Sequence, residues 1–241
     1  MSAAPPRPAA ASTTLSILVP AYNEERFLGA LLEKILAVDV SRHAARKEIV
    51  VVDDGSSDAT AAIAARAPGV RLERQPRNLG KGAAVRRAIE VATGELLLIQ
   101  DADLEYEPED YLPMLDALAA TGADAVYGSR YLRGGRRPGQ SWSAYLGGRA
   151  LSLVGWVFTG RWLTDTVTAY KLFRAPVLRE LPLATSGFEL DHEITARLLA
   201  RGRRIEEVPI RYRPRSRAEG KKIGLRDWLV AVRTFRRYRK G

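Results

Sequence analysis

Three carboxylates recur at alternate positions in Asp101-Ala102-Asp103-Leu104-Glu105, directly after the apolar run Leu96-Leu97-Leu98-Ile99. Carboxylate oxygens are hard donors, and such a group suits Mg²⁺ or Mn²⁺ held jointly with substrate phosphates. Alternate residues of an extended chain face the same way, so the spacing predicts three side chains converging on one cation. The plainer alternative is a solvated acidic loop. A second pair, Asp53-Asp54, closes the run Ile49-Val50-Val51-Val52 and can accept from base N–H groups or ribose hydroxyls. Lys81, between Gly80 and Gly82, can neutralise a phosphate as a point charge.

Further along, Glu189-Leu190-Asp191-His192-Glu193 opens a helical stretch. Acidic residues are favoured at a helix N-terminus, but three in five residues exceed what that requires. Asp191 is the general-base candidate there, with Glu189 or Glu193 as partners of substrate hydroxyls and His192 as a bystander. Arg130 follows an apolar strand, where it suits a phosphate or an ion-pair partner. The run Arg211–Lys222 is the densest in positive charge. It reads either as a solvated surface or as a loop whose Arg215, Lys221 and Lys222 order on phosphate.

Elements must place these groups. Leu15–Val19, Glu48–Asp54, Val70–Glu73 and Leu96–Asp101 read as strands, the first ended by Pro20. Between them lie a helix with apolar Phe27, Leu28, Leu31, Leu32, Ile35 and Leu36 on one face, a second helix capped by Ser57 or Asp58, and a third over Ala83–Ala92. Four strands with three helices between them predict a parallel α/β sheet with right-handed crossovers and ligands at the carboxyl ends of its strands. No G-x-G-x-x-G follows the first strand, so a dinucleotide site is not indicated. Asp124–Tyr127 is a further strand. Ser143–Phe158 forms a helix that is either buried or laid in a lipid interface with its tryptophans. Leu225–Tyr238 is an amphipathic helix with Leu225, Trp228, Leu229, Val232, Phe235 and Tyr238 on one face and arginines elsewhere.

Composition narrows the classes. The 241 residues are 46% hydrophobic and 27% charged, as in ordinary globular proteins, and include two histidines and no cysteine. Disulfides and thiolate chemistry are thereby excluded, and a multi-histidine zinc site is disfavoured. The net charge of +10 is uneven: residues 201–241 carry 15 Lys and Arg against 4 Asp and Glu, leaving 23 against 24 elsewhere. A near-neutral body with a basic tail points to an anionic partner. The Ala/Pro-rich opening lacks a signal-peptide layout, and no apolar run reaches the ~20 residues of a membrane span.

Four motifs in order, Val19-Pro20-Ala21-Tyr22-Asn23-Glu24, Val52-Asp53-Asp54-Gly55-Ser56, Asn78-Leu79-Gly80-Lys81-Gly82 and Asp101-Ala102-Asp103, resemble the inverting family 2 glycosyltransferases of the GT-A fold. Tyr127–Tyr131, Asp165-Thr166, Lys171-Leu172-Phe173 and Gly220-Lys221-Lys222 narrow the likeness to the dolichyl- or polyprenyl-phosphate glucose and mannose synthases. The resemblance covers roughly residues 15–240. It implies that Pro20, Tyr22, Glu24, Asp53 and Asp54 hold the nucleoside. It implies metal and sugar diphosphate at Asp101, Asp103 and Glu105, and acceptor phosphate at Arg130 and at the loop 215–222. Asp165–Tyr170 lacks the glycine usual in the family near the sugar pocket, and no stretch of residues 1–241 matches the family's common membrane-spanning tail.

The expectation is thus an α/β, Rossmann-like GT-A domain over residues 15–224, a mostly parallel sheet flanked by helices. A disordered lead-in over 1–14 precedes it and a basic amphipathic helix over 225–241 follows. It would move a hexose from UDP-glucose or GDP-mannose to a polyprenyl or dolichyl phosphate, with Mg²⁺ or Mn²⁺, as a cytoplasmic protein held peripherally on an anionic membrane. Transfer to a hydroxyl acceptor, which would lean on Asp191, is the rival. Nucleic acid is not an expected partner, because such a binder leaves the carboxylate pairs unexplained.

Overall fold

The apolar runs become the middle of one sheet in the computed structural model, which describes residues 13–136, 139–214 and 225–240. In chain order the first half is β1 (Thr14–Ala21), α1 (Leu28–Ala37), β2 (Arg46–Asp53), α2 (Thr60–Arg66), β3 (Val70–Arg74), α3 (Lys81–Val91) and β4 (Leu96–Ile99). The second half is α4 (Tyr111–Thr121), β5 (Ala125–Ser129), α5 (Trp142–Thr159), β6 (Lys171–Arg174), α6 (Ala175–Arg179), α7 (Leu190–Ala200), β7 (Ile205–Pro209) and α8 (Leu225–Tyr238). The seven strands lie in the order β3-β2-β1-β4-β6-β5-β7. Six run in one direction and β6 alone is reversed, pairing antiparallel with β4 and β5.

Both faces of the sheet are covered, which is why β1, β4 and β5 are buried along their whole length rather than at alternate residues. One face packs Leu15, Ile17 and Val19 against Leu28, Leu31, Leu32, Ile35 and Tyr111. The other packs Leu18, Val50 and Val52 against Ala84, Val85, Ala88 and Ile194.

Several boundaries move, each for a physical reason. β1 does not stop at Pro20 but continues to Ala21. Its pairing with β4 ends at Leu18, so the proline has no ladder partner on that side to lose. α2 is flanked by Ala59 rather than capped directly by Ser57 or Asp58, although the Asp58 carboxylate accepts from Thr60 N at 2.9 Å. α3 starts at Lys81, two residues early, because the turn before it is closed by a carboxylate described below.

α5 buries Leu151, Ser152 and Gly155 and leaves Trp142, Leu146, Leu153, Trp156 and Val157 exposed. It is therefore not the fully buried helix of the plainer expectation. α8 lies on α5 and α7. Among its described side chains the buried ones are Ala231, Thr234, Phe235 and Tyr238, with Leu229 exposed, so the buried stripe there is rotated from the expected one. No described helix is long and apolar enough to cross a membrane.

Candidate active site

The strand directions decide which residues meet. The carboxyl ends of β1, β2, β4 and β5 share one edge of the sheet. The reversed β6 begins there, with Lys171 opposite Ile99 and Tyr127. The chain builds outward from β1 to β2 and β3, then returns to place β4 on the other flank of β1. That is a topological switch point, where loops part and leave a crevice.

On the β1–β2 side, Pro20 is buried in its strand and Tyr22 projects with 45% of its surface exposed. Asn23 adopts φ +55° and is laced to the next loop, its amide donating to Ser56 Oγ and its Oδ1 accepting from Ser57 N. The Glu24 amide donates to Thr60 Oγ1. Asp53 has no exposed surface and accepts from Ser56 N and from Arg74 Nε at 3.2 Å. Asp54 is likewise buried, its two oxygens accepting from Leu79 N and Gly80 N, each at 2.8 Å. The paired carboxylates do separate work here: Asp54 closes the Asn78-Leu79-Gly80 turn and so aims Lys81. Gly80, at φ +99°, lies so close to Ser186 that a Cβ would collide with its carbonyl oxygen. Gly82 meets the same segment, a Cβ there falling 2.8 Å from Gly187 O.

Lys81 does not point into open solvent. Its Nζ sits 2.7 Å from Asp101 Oδ1 and 3.4 Å from Asp191 Oδ2. Burial works against the ammonium, but Asp101 and Asp191 outweigh it and hold its pKa above the usual lysine value. The other oxygen of Asp191 meets Lys171, 3.2 Å away, whose ammonium also reaches the Asp191 carbonyl at 3.0 Å. Burial would raise the Asp191 pKa, yet Lys171 and then Lys81 pull it below the ordinary carboxylate value. A chain of alternating charge, Asp101–Lys81–Asp191–Lys171, thus ties β4, α3, α7 and β6 together. Lys171 was legible only as part of a motif, since nothing in sequence spacing brings it to Asp191.

The D-x-D-x-E run is not extended as its spacing predicts. The chain turns after Asp101, and Leu104 has φ +57°. Asp103 Oδ1 accepts from Glu105 N at 3.1 Å and Glu105 Oε2 from the Tyr212 hydroxyl at 2.9 Å. Among the described residues, no three carboxylates or imidazoles come close enough to cage a metal by themselves. The donor chemistry still fits a small divalent cation, which is commonly held by one or two carboxylates with substrate phosphates completing its shell.

Arg130 leaves β5 and makes a forked pair with Asp165, Nε to Oδ2 at 2.6 Å and Nη2 to Oδ1 at 2.7 Å. Its guanidinium lies over the Tyr131 and Tyr212 rings, at 5.3 and 5.1 Å from their centroids. Burial opposes its charge, but Asp165 more than compensates and holds the pKa well above the usual value. Glu207, its own pKa raised by burial, accepts from the amides of Thr164 and Asp165 and so orients the loop carrying Asp165. Asp165 was missed as a partner because 35 residues separate it from Arg130.

Glu193 is committed to structure, accepting from Ala184 N, Thr185 N, Thr185 Oγ1 and Arg197 Nε, so it is not placed to meet a sugar. Glu189 accepts from Gly187 N. His192 is buried beside Phe235 with burial lowering its pKa to about 4, which keeps it neutral. Arg215, Lys221 and Lys222 lie outside the described residues. Their approach is placed: Tyr212 bridges to Tyr106, and Arg213 N donates to Glu105 O.

Comparison with known proteins places this geometry. The pattern of glycosyl transferase family 2 matches residues 16–181. The chain is 31% identical over 87% of its length to a dolichol-phosphate mannosyltransferase of Pyrococcus furiosus. It is 35% identical over 71% of its length to a dodecaprenyl-phosphate galacturonate synthase of Rhizobium johnstonii. It spans 59% and 51% of the lengths of these two relatives. In fold it is similar to glucosyl-3-phosphoglycerate synthase of Mycobacterium tuberculosis in complex with Mn²⁺, UDP and glucosyl-3-phosphoglycerate. The TM-score is 0.70 at 19% identity, over 92% of this chain and 77% of that one.

Proposed function

The chain belongs to glycosyl transferase family 2, and we propose that it moves a hexose from a nucleoside diphosphate sugar to a polyprenyl phosphate at a membrane surface, inverting the anomeric carbon. The observation that carries the acceptor class is the state of Asp191. A carboxylate braced by two ammonium groups is a poor proton acceptor, and general-base efficiency falls with basicity. A hydroxyl acceptor needs that base, whereas a phosphate oxygen arrives already anionic. The names of the two relatives above, both acting on lipid-phosphate carriers, support the same class. They differ in sugar, mannose against galacturonate, so the hexose stays unspecified.

In this reading the donor lies in the crevice between β1 and β4. Pro20, Tyr22, Glu24 and Asp53 surround the nucleoside, Asp54 acts through the turn it closes, and Lys81 exchanges Asp101 for a diphosphate oxygen. Asp101 and Asp103 would hold Mg²⁺ or Mn²⁺ together with the donor diphosphate, Glu105 being engaged by Tyr212 instead, and the ion when bound supplies positive charge to the leaving diphosphate. The phosphate oxygen of the acceptor bonds to the anomeric carbon as the bond to the diphosphate breaks. Arg130, with Arg215, Lys221 and Lys222, meets the acceptor phosphate, and Asp165 keeps the Arg130 fork in plane.

The face beside Arg130 suits a lipid. Leu132, Trp142, Leu146, Trp156, Val157 and Trp162 are exposed there and along α5, with Arg133 and Arg136 among them. Aromatic and basic residues together favour an anionic bilayer surface. The decisive assay offers a panel of nucleotide sugars, with Mn²⁺ or with EDTA, to a short prenyl phosphate and to the matching prenyl alcohol. Metal-dependent transfer to the phosphate alone is the expected outcome. Transfer to the alcohol alone would overturn the reading.

A further inference from the structure

Lys171 is a lysine without exposed surface at the start of a sheet strand, and in the transfer above it touches neither donor nor acceptor. Its ammonium sits 4.9 Å from the centre of the Tyr127 ring and reaches the carbonyl and Oδ1 of Asp191. The same Asp191 carbonyl accepts from Thr195 Oγ1, whose oxygen lies 3.1 Å from the Tyr127 hydroxyl. Backbone, side chain and charge of Asp191 are therefore fixed from below by groups on β5, β6 and α7. From above the carboxylate meets Lys81, which is shared with Asp101 and held closer to it. Among the described residues, the other titratable neighbours are His192, which is neutral, and the buried Tyr127, whose pKa burial raises.

We propose that Lys171 sets the acceptor class: enclosed beneath Asp191 and bonded to both its Oδ1 and its carbonyl, it occupies the carboxylate that would otherwise take a proton, so that an acceptor bringing its own negative charge is used and a neutral hydroxyl, water included, is not. The inference rests on the phosphate-acceptor reading and explains how this chain would enforce it. Lys81 has an alternative partner in a donor diphosphate, and once drawn to it would leave Asp191 with burial as its main influence. Burial alone raises a carboxylate's pKa and turns it into a base. Lys171 cannot leave, because the sheet encloses it; burial lowers its own pKa from the usual lysine value, the Asp191 carboxylate opposes that loss, and the pair shares one hydrogen-bonded contact.

Without Lys171 the freed base would serve water. The water oxygen bonds to the anomeric carbon, its proton passes to Asp191, and the carbon–oxygen bond to the diphosphate breaks with its electron pair leaving on the nucleoside diphosphate. The donor is then hydrolysed instead of transferred. Lys171 is in this sense a positioning and specificity residue, not a group that touches substrate.

The test measures, for the full chain, donor hydrolysis and transfer to a short prenyl phosphate side by side. Lys171→Met keeps the stem and removes the charge; Lys171→Gln also keeps a hydrogen-bond donor. The ratio of hydrolysis to transfer should rise at least about tenfold, the low end of general-base assistance. It should return to the wild-type ratio when Asp191→Asn is added, a reversal that loss of packing alone does not produce. An unchanged ratio in folded, nucleotide-binding variants, or an equal rise in the double variants, would overturn the inference and leave the phosphate-acceptor reading standing. If neither single variant folds, carbon-13 titration of the Asp191 carboxyl in the wild-type protein decides. A midpoint below that of an ordinary aspartate supports the proposal, and one at or above it overturns it. A wild-type enzyme that glycosylates a prenyl alcohol as fast as the phosphate would instead sink the reading beneath the proposal, and the proposal with it.

Discussion

The two halves of the sheet edge are built differently. On the β1–β2–β4 side the chemistry-bearing residues sit in short motifs, and much of their bonding is local or to the neighbouring loop: Asp53 to Ser56, Asp54 to Leu79 and Gly80, Asp103 to Glu105. On the β5–β6 side the decisive contacts are made instead between oppositely charged side chains, Arg130 with Asp165 and Lys171 with Asp191. The first side is shaped by turns that carboxylates close. The second is shaped by buried ion pairs, which are poor sources of net stability but leave a costly unpaired charge when one partner is removed. Substitutions should therefore act locally on the first side and be strongly coupled on the second.

The largest effect expected is on the first side. Asp103→Ala, or excess EDTA with the wild-type protein, should lower transfer by on the order of 10²–10³-fold, the scale of losing one main electrostatic partner of the developing charge. Full activity in EDTA would sink the metal assignment.

On the second side, Arg130→Ala should cost about 10- to 150-fold in turnover, because a charge-assisted bond to a buried phosphate is worth roughly 1.5–3 kcal/mol. Asp191→Asn should cost less than about tenfold, well short of the 10²–10⁴-fold typical of a lost general base. Transfer rates of the two variants, with nucleotide binding as the control, compare them directly. The reverse order of severity would mean a hydroxyl acceptor.

A smaller effect separates turn from charge. Gly80→Ala puts a Cβ into the Ser186 backbone at a φ unfavourable for any other residue, and should destabilise the fold by about 1–3 kcal/mol. Thermal unfolding should then fall by about 2–12 °C. A melting curve unmoved by this change would show that the Asp54-closed turn is not as tight as described.

The smallest change in stability is expected on the exposed face of α5. Trp156→Ser should stay within about 0.5 kcal/mol of wild type, since the side chain is half exposed. Binding to anionic liposomes should nevertheless weaken, and the binding that remains should fall further as salt rises. Equal binding of variant and wild type would remove this face from the membrane contact.

Periodicity and turn chemistry in the sequence were sufficient for the alternating strands and helices, the buried sheet and the edge at which Asp53, Asp101 and Arg130 gather. Apolar runs too short for a helix can only be buried strands, and such strands end where polar residues begin. The motif order also carried the family, because family 2 is written in local stretches. What local sequence could not carry is the reversed strand β6, which no helical crossover announces. That reversal brings the first residue of the strand, Lys171, to the edge where the parallel strands end, and so beneath Asp191 at the start of α7. Tertiary structure alone decided that Asp191 is a braced anion rather than a free base, that Arg130 is forked onto Asp165, and that the left-handed turn at Leu104 parts the three carboxylates of the D-x-D-x-E run. Each depends on where distant segments, or a single backbone angle, put a charge in a buried setting, and electrostatic strength follows that setting rather than the identity of the residue.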